Sequence, residues 1–255
     1  MKKSILYFFG IYLVLVSFFS SSALGQSQTI DSLKRVIKNA PADSTKVNTY
    51  IALNKELFSE GKREEMIDVS NQGIRLSKRI AYPYGVGQLI LQKGIAYQVI
   101  GEPKKAIDLY QEGIEVAKIN DLKELESKFY INIGNYYYRL GDLDIALGYF
   151  LTAYEIKEVL DKRSLGRLLN NIAIIYRLQK KYDKAELLYL ESLKLKEAVN
   201  DSIGIATSYL NLGRLNSLRE GKRQIGIQQL TKSLQIHKHL NNPYDIAICL
   251  SLIHI

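Results

Sequence analysis

The chain has 255 residues, 47% of them hydrophobic, with four prolines, no tryptophan and a formal net charge of +9. That length supports one large core or an array of small units. A single cysteine, Cys249, excludes an intramolecular disulfide and any Cys-rich zinc site, and three histidines near the C-terminus (His237, His239, His254) are too few and too clustered for a metal centre.

The N-terminus has the layout of a cleavable secretory signal. Lys2 and Lys3 form a positive n-region, Ile5 to Phe19 is a run without charge, and Ala23 and Gly25 stand at −3 and −1 before a cut at Gln26. The run is short for a membrane span. The expectation is therefore an exported, periplasmic or extracytoplasmic chain, cleaved near Gly25/Gln26. Cleavage removes two lysines and no acid, so the formal charge falls from +9 to +7. Next, Thr29 to Asn39 (TIDSLKRVIKN) reads as a short amphipathic helix ended by Ala40-Pro41, placed to cap whatever follows.

From there the chain repeats itself. Gly94, Gly134, Ala173 and Gly213 are spaced 40, 39 and 40 apart. Three residues on stand Tyr97, Tyr137 and Tyr176, with Asn216 out of pattern. Seven on are Gly101, Gly141 and Lys180, and twelve on are Ala106, Ala146 and Ala185. Sixteen on are Tyr110, Phe150 and Tyr189, and nineteen on are Gly113, Ala153 and Ser192. Between the first small residue and the turn, apolar positions fall at helical spacings of three and four. Gly101 and Gly141 suit a helix end that needs positive φ. Glu102-Pro103, Asp142 and Asp183 open a second helix, where an acid or a proline favours the first turn. The alanines mark the closest approach of two helix backbones, and the aromatic at sixteen fills the gap beside it. Each unit is a hairpin that buries its apolar face only against its neighbours. A weaker copy precedes these (Asn54, Leu57, Gly61, Met66, Ser70, Gly73). The copy from Gly213 has one extra residue in its turn, at Glu220-Gly221. Asn242-Pro243 starts a sixth unit that stops after its first helix, and the apolar character of Ile246 to Ile255 suggests that a longer protein continues it.

These motifs resemble tetratricopeptide repeats, and the ~40-residue period resembles the long-helix subtype of kinesin-light-chain-like and bacterial regulatory arrays. The expected fold class is all-α: a right-handed superhelical solenoid of antiparallel helix hairpins. The expected organisation is a signal peptide at 1–25, a capping helix at 26–42 and a degenerate repeat at 43–81. Full repeats follow at 82–120, 121–160, 161–200 and 201–241, and the start of a sixth at 242–255.

The resemblance implies that the first helix of each pair lines a concave groove. On those helices Asn132, Asn171 and Asn211 stand two residues before the small position, with Gln92 one repeat earlier and Ala52 breaking the column. In related arrays such a column holds the backbone of an extended peptide, because an amide both donates and accepts. The alternative is that each asparagine bonds a neighbouring helix. Lys128, Arg139, Arg167, Arg177 and Arg214 fall on the same helices and favour an acidic segment or a free carboxylate, although a solvated basic face reads the same way. Tyr137 is expected in the core, and Tyr138 and Asn135 near the groove. The candidate peptide-binding set is thus Asn132, Asn135, Tyr138, Arg139, Arg167, Asn171, Arg177, Asn211 and Arg214.

No catalytic motif is present: no GxSxG, HExxH, phosphate-cradling glycine loop or Cys–His pairing at useful spacing. No cofactor or metal is expected, and no enzyme activity from the chain as given. The leading reading is a non-catalytic module that binds a protein or peptide. The signal peptide with long repeats resembles the N-terminal sensing region of bacterial sensor histidine kinases and related regulators, where a membrane helix and an output domain follow. A complete periplasmic scaffold with no output domain is the alternative. Nucleic acid is disfavoured as a partner by export, and no membrane contact is expected of the mature chain.

Overall fold

The structure is a computed structural model and describes residues 28–253. The signal peptide expected at 1–25 lies outside the described residues. Among the described residues there are twelve α-helices and no strand: α1 (28–39), α2 (Ser44–Ser59), α3 (Arg63–Arg79), α4 (Pro83–Val99), α5 (Pro103–Ile119), α6 (Lys123–Leu140), α7 (Leu143–Glu155), α8 (Lys162–Leu178), α9 (Tyr182–Glu197), α10 (Ser202–Ser217), α11 (Arg223–His239) and α12 (Pro243–Ile253). The fold class is the expected all-α repeat of helix hairpins. The chain forms two compact units, one up to Leu125 and one from Glu126 onward.

In the first unit, Ile30 of α1 is buried with Val47, Leu53 and Leu57 of α2 and Met66 of α3, and Leu33 and Ile37 pack against that cluster. In the hairpin of α4 and α5, a β-carbon added at Gly94 would collide with the Tyr110 ring, which is fully buried beside Ala106. The backbones approach closely because one helix has no side chain where the other has a ring. Asn54, buried in α2, donates to Ser70 Oγ at 2.8 Å and to Gln92 Oε1 at 3.0 Å. Gln92 in turn donates to the Ile51 carbonyl at 3.1 Å. In this unit the Gln92 position of the amide column is structural.

The second unit repeats the contact. A β-carbon on Gly134 of α6 would lie 2.6 Å from Cε1 of Phe150 on α7, and one on Gly213 of α10 would lie 2.6 Å from Cγ of Leu230 on α11. Ala173 takes the same place against Tyr189 and Ala185 in the α8–α9 core. Beyond α11, Ile246, Ile248, Leu252 and Ile253 of α12 pack on a cluster of Leu210, Leu230, Leu234 and Cys249. The helix α7 is four residues shorter than α3 or α5. It gives way at Glu155 to a 3₁₀ turn at Lys157–Val159, which nothing in the repeat pattern announces.

The turns follow one recipe. Gly101 and Gly141 have φ of 87° and 86°, and Lys180 occupies the same place at 59°. The amide that follows each positive-φ residue returns to a carbonyl in the last turn of the helix, Glu102 to Tyr97 at 2.9 Å, Asp142 to Tyr137 at 3.0 Å and Lys181 to Tyr176 at 2.8 Å. This is the Schellman closure. The α10–α11 turn lacks it, since the extra residue separates Leu218 from Lys222 and only short-range bonds close the loop.

One core expectation is corrected. The aromatic at offset three is half-buried: Tyr137 stacks on Tyr149 of α7 at 5.7 Å, Lys105 lies over the Tyr97 ring and Lys184 over Tyr176. The hairpin lip is sealed from the second helix, by a lysine stem over Tyr97 and Tyr176 and by the Tyr149 ring on Tyr137, not by closed core.

Candidate functional site

A cavity of about 740 Å³ opens in the second unit, lined by the middle of α6, the first half of α8, the end of α9 and the first turns of α10. Helical spacing places its polar wall. Lys128, Asn132 and Asn135 lie four and three residues apart on one face of α6. Arg163, Arg167 and Asn170, with Asn171 beside it, do the same on α8. Two of the helices begin at an aspartate that caps them. Asp161 Oδ1 accepts from the Ser164 amide at 2.9 Å, and Asp201 Oδ1 accepts from the Gly204 amide at 3.1 Å. The Ser164 amide and hydroxyl hold the Asp161 carboxyl below its ordinary range.

Four cations line the cavity, Lys128, Arg163, Arg167 and Lys196, against one acid, Asp201. Asp201 Oδ2 lies 3.6 Å from Arg163 Nε. The wall is therefore electropositive in a concave setting, where fields focus. Lys196 is 2% exposed, and its ammonium donates to Ser208 Oγ at 2.9 Å. Burial pushes its pKa down to about 8, against the opposing pull of Asp201 and with a smaller push from Arg167.

Two of the asparagine positions tie neighbouring repeats together, and the third bonds within its own helix. Asn171 Nδ2 donates to Asn135 Oδ1 at 2.9 Å, and Asn211 Nδ2 to Asn170 Oδ1 at 2.8 Å, while Asn132 Nδ2 returns to the Lys128 carbonyl at 2.8 Å. Each of these bonds uses one amide hydrogen.

The sequence-derived set divides three ways. Asn132, Asn135, Arg167 and Asn171 come together in the cavity. Arg177 instead lies beside the buried hydroxyl of Tyr189, whose pKa is raised to about 12 by burial against the opposing pull of Arg177, with smaller electrostatic effects from Tyr138 and Arg214. Arg214 also borders a smaller cavity of about 340 Å³ with Tyr244 and Leu252. Arg139 is exposed in the last turn of α6, and Asn211 is buried behind the wall; neither lines the large cavity. Arg163, Asn170, Lys196, Asp201 and Thr207 line it and were not in the set. Lys196 carried a usable signal. It stands 23 residues after Ala173, where the three earlier equivalents are Ser77 and Ala117, both fully buried and small, and the half-buried Lys157.

Among the described residues no group of three or more His, Cys, Asp or Glu is placed to hold a metal ion, and no helix is long and apolar enough to cross a membrane.

The sequence profile of the tetratricopeptide repeat matches residues 124–198 and 164–238. No curated protein sequence matches the chain. Among solved structures, BtubC (BKLC) from P. vanneervenii is 17% identical, with 86% of this chain and 91% of that one covered and a TM-score of 0.69. A Rap protein complexed with competence and sporulation factor is 17% identical over 92% of this chain and 71% of that one, with a TM-score of 0.62. The STAND protein PH0952 from Pyrococcus horikoshii, which has a tetratricopeptide repeat sensor, is 20% identical over 89% of this chain and 35% of that one, at 0.67. Residues 124–238 are thus tetratricopeptide-repeat sequence on a fold that supports protein–protein interaction or scaffolding, and proteins of this fold are generally non-catalytic.

Proposed function

We propose that this chain is an exported binding module that captures an acidic peptide segment in the second-unit cavity, and that it serves as the sensing part of a bacterial signalling protein. The observation that supports the ligand class is the lining: four cations against one acid, with Asn132, Asn135 and Asn171 spaced along it. The arginines present paired donors to carboxylates, and the amides meet backbone groups between them. The complex of the Rap protein with competence and sporulation factor and the repeat sensor of the STAND protein support partner capture and sensing on this fold. Export rests on the N-terminal signal pattern at 1–25.

Fluorescence anisotropy with a labelled, C-terminally amidated peptide of alternating glutamate and alanine tests the ligand class. Arg167 is exposed on the cavity rim. Arg167→Glu should weaken binding at least about tenfold, equivalent to about 1.4 kcal/mol, with an unchanged melting curve. Equal binding by both proteins would dismiss the cavity as the site. Fractionation of the tagged chain with and without residues 1–25 tests export; cytoplasmic retention of both would overturn it.

A further inference from the structure

We infer that the Lys196 ammonium is the carboxylate anchor at the floor of the second-unit cavity, a role resting on the acidic-peptide reading above. Three independent features converge on it. First, packing alone does not require a lysine at this position: the equivalents in the first unit, Ser77 and Ala117, fill it with small, fully buried side chains, whereas the preceding repeat has a half-buried Lys157 there, in its 3₁₀ turn. Second, the surrounding helices make room for the long stem. A β-carbon on Gly166 of α8 would lie 3.4 Å from Lys196 Cγ, and one on Gly204 of α10 would lie 2.9 Å from Lys196 Cδ. A stem threaded between two glycines is held in one course, so the charge is delivered to a fixed place.

Third, the ammonium is under-used. It has three N–H donors, and Ser208 Oγ is the acceptor it has among the described residues. Asp201 attracts it from the start of α10 but is paired with Arg163; Arg167 of α8 opposes it with like charge, and Arg163 and Lys128 line the same cavity. A buried cation with one neutral acceptor and a countercharge shared with Arg163 is costly to the fold. An incoming carboxylate lowers that cost by supplying a further acceptor and a countercharge of its own. The carboxylate can come from an acidic side chain or from a chain terminus, and the chemistry at Lys196 is the same.

Burial that pushes the ammonium down to about 8 adds a signature. A bound carboxylate favours the charged form, so affinity should be highest below pH 8 and fall as pH rises above it.

The test uses two fluorescein-labelled probes between pH 6.5 and 9.5. One is the amidated glutamate–alanine peptide; the other is a neutral alanine–serine peptide with a free carboxyl end. Lys196→Met keeps the stem and removes the charge. It should cost at least about tenfold in affinity and abolish the pH dependence for whichever probe supplies the carboxylate, which identifies the source. Ser208→Ala keeps the ammonium and removes its protein acceptor; its binding and pH profile should persist, which separates loss of the anchor from loss of the fold. Arg167→Ala should weaken binding but keep the pH dependence, with the midpoint moved upward because a like charge has gone. If Lys196→Met binds both probes as the parent does, with the same pH profile, Lys196 is no anchor although the acidic-peptide reading stands. If the parent binds neither probe, the acidic-peptide reading falls and the anchor falls with it.

Discussion

Replacing Gly134 and Gly148 by alanine, one at a time, tests how the hairpins are built. Both glycines sit in the same hairpin, in α6 and α7, and intrinsic propensity favours alanine at either by about 1 kcal/mol. Their surroundings differ. A β-carbon at Gly148 meets nothing within 4 Å. At Gly134 it would lie 2.6 Å from Cε1, 2.7 Å from Cδ1 and 3.1 Å from Cζ of Phe150, whose ring is 1% exposed. Overpacking a filled core costs about 1–3 kcal/mol. The fourth repeat carries Ala173 against Tyr189 in the same arrangement, so a slightly wider hairpin accommodates a methyl, which places the cost in the lower half of that range. Gly148→Ala should therefore stabilise by about 0.5–1 kcal/mol, and Gly134→Ala should destabilise by up to about 1 kcal/mol. Urea denaturation followed by circular dichroism gives both shifts. Equal stabilisation by the two substitutions would refute the close packing of the ring on the glycine, and with it the repeat register.

Three further outcomes follow from named contacts. Lys196→Met should raise stability near pH 7 by roughly 1–3 kcal/mol. The folded-state pKa of about 8 lies below the unfolded value, so stability of the parent protein rises as pH climbs from about 8 toward the unfolded lysine range, and the variant should lack that rise; urea titrations at pH 7 and 10 check both. Asp161→Ala removes an N-cap and should cost about 1 kcal/mol. Because the Asp161 pKa is lowered, that contribution is present above the unfolded carboxylate range and fades as pH falls through the folded value, so parent and variant should converge in acid melts. Arg219→Ala severs Asp183 and Glu186 on α9 from the α10–α11 turn, and with Lys222 still on Glu186 the loss should be at most about 1 kcal/mol and shrink with added salt.

The hairpin contacts were legible in the sequence because a solenoid repeats its packing. Gly94, Ala106 and Tyr110 recur as Gly134, Ala146 and Phe150, and one physical solution explains both triplets. The turn glycines were legible because positive φ narrows the choice of residue. The cavity was legible chiefly where short side chains carry it: Asn132, Asn135 and Asn171 project close to where the register puts them, and of the three arginines assigned to α8 and α10 only Arg167 joins them. Arg177 was assigned to the groove by the same register, yet its long side chain lies beside the Tyr189 hydroxyl. Backbone periodicity fixes where a side chain leaves the helix, not where a flexible arginine ends. Lys196 was overlooked because it belongs to a second helix, assumed to face away. Its stem reaches the cavity through space left by glycines on two other helices, and no single-helix pattern reports that.

The most direct test of peptide capture in the second-unit cavity is photo-cross-linking. The glutamate–alanine peptide would carry a benzophenone at its centre, and the adducts on the full chain would be mapped by mass spectrometry. The account predicts adducts within 128–135, 163–171 and 201–207, competed away by unlabelled peptide. Adducts confined to residues 28–125, or spread over α7, α9 and α11 without competition, would contradict it.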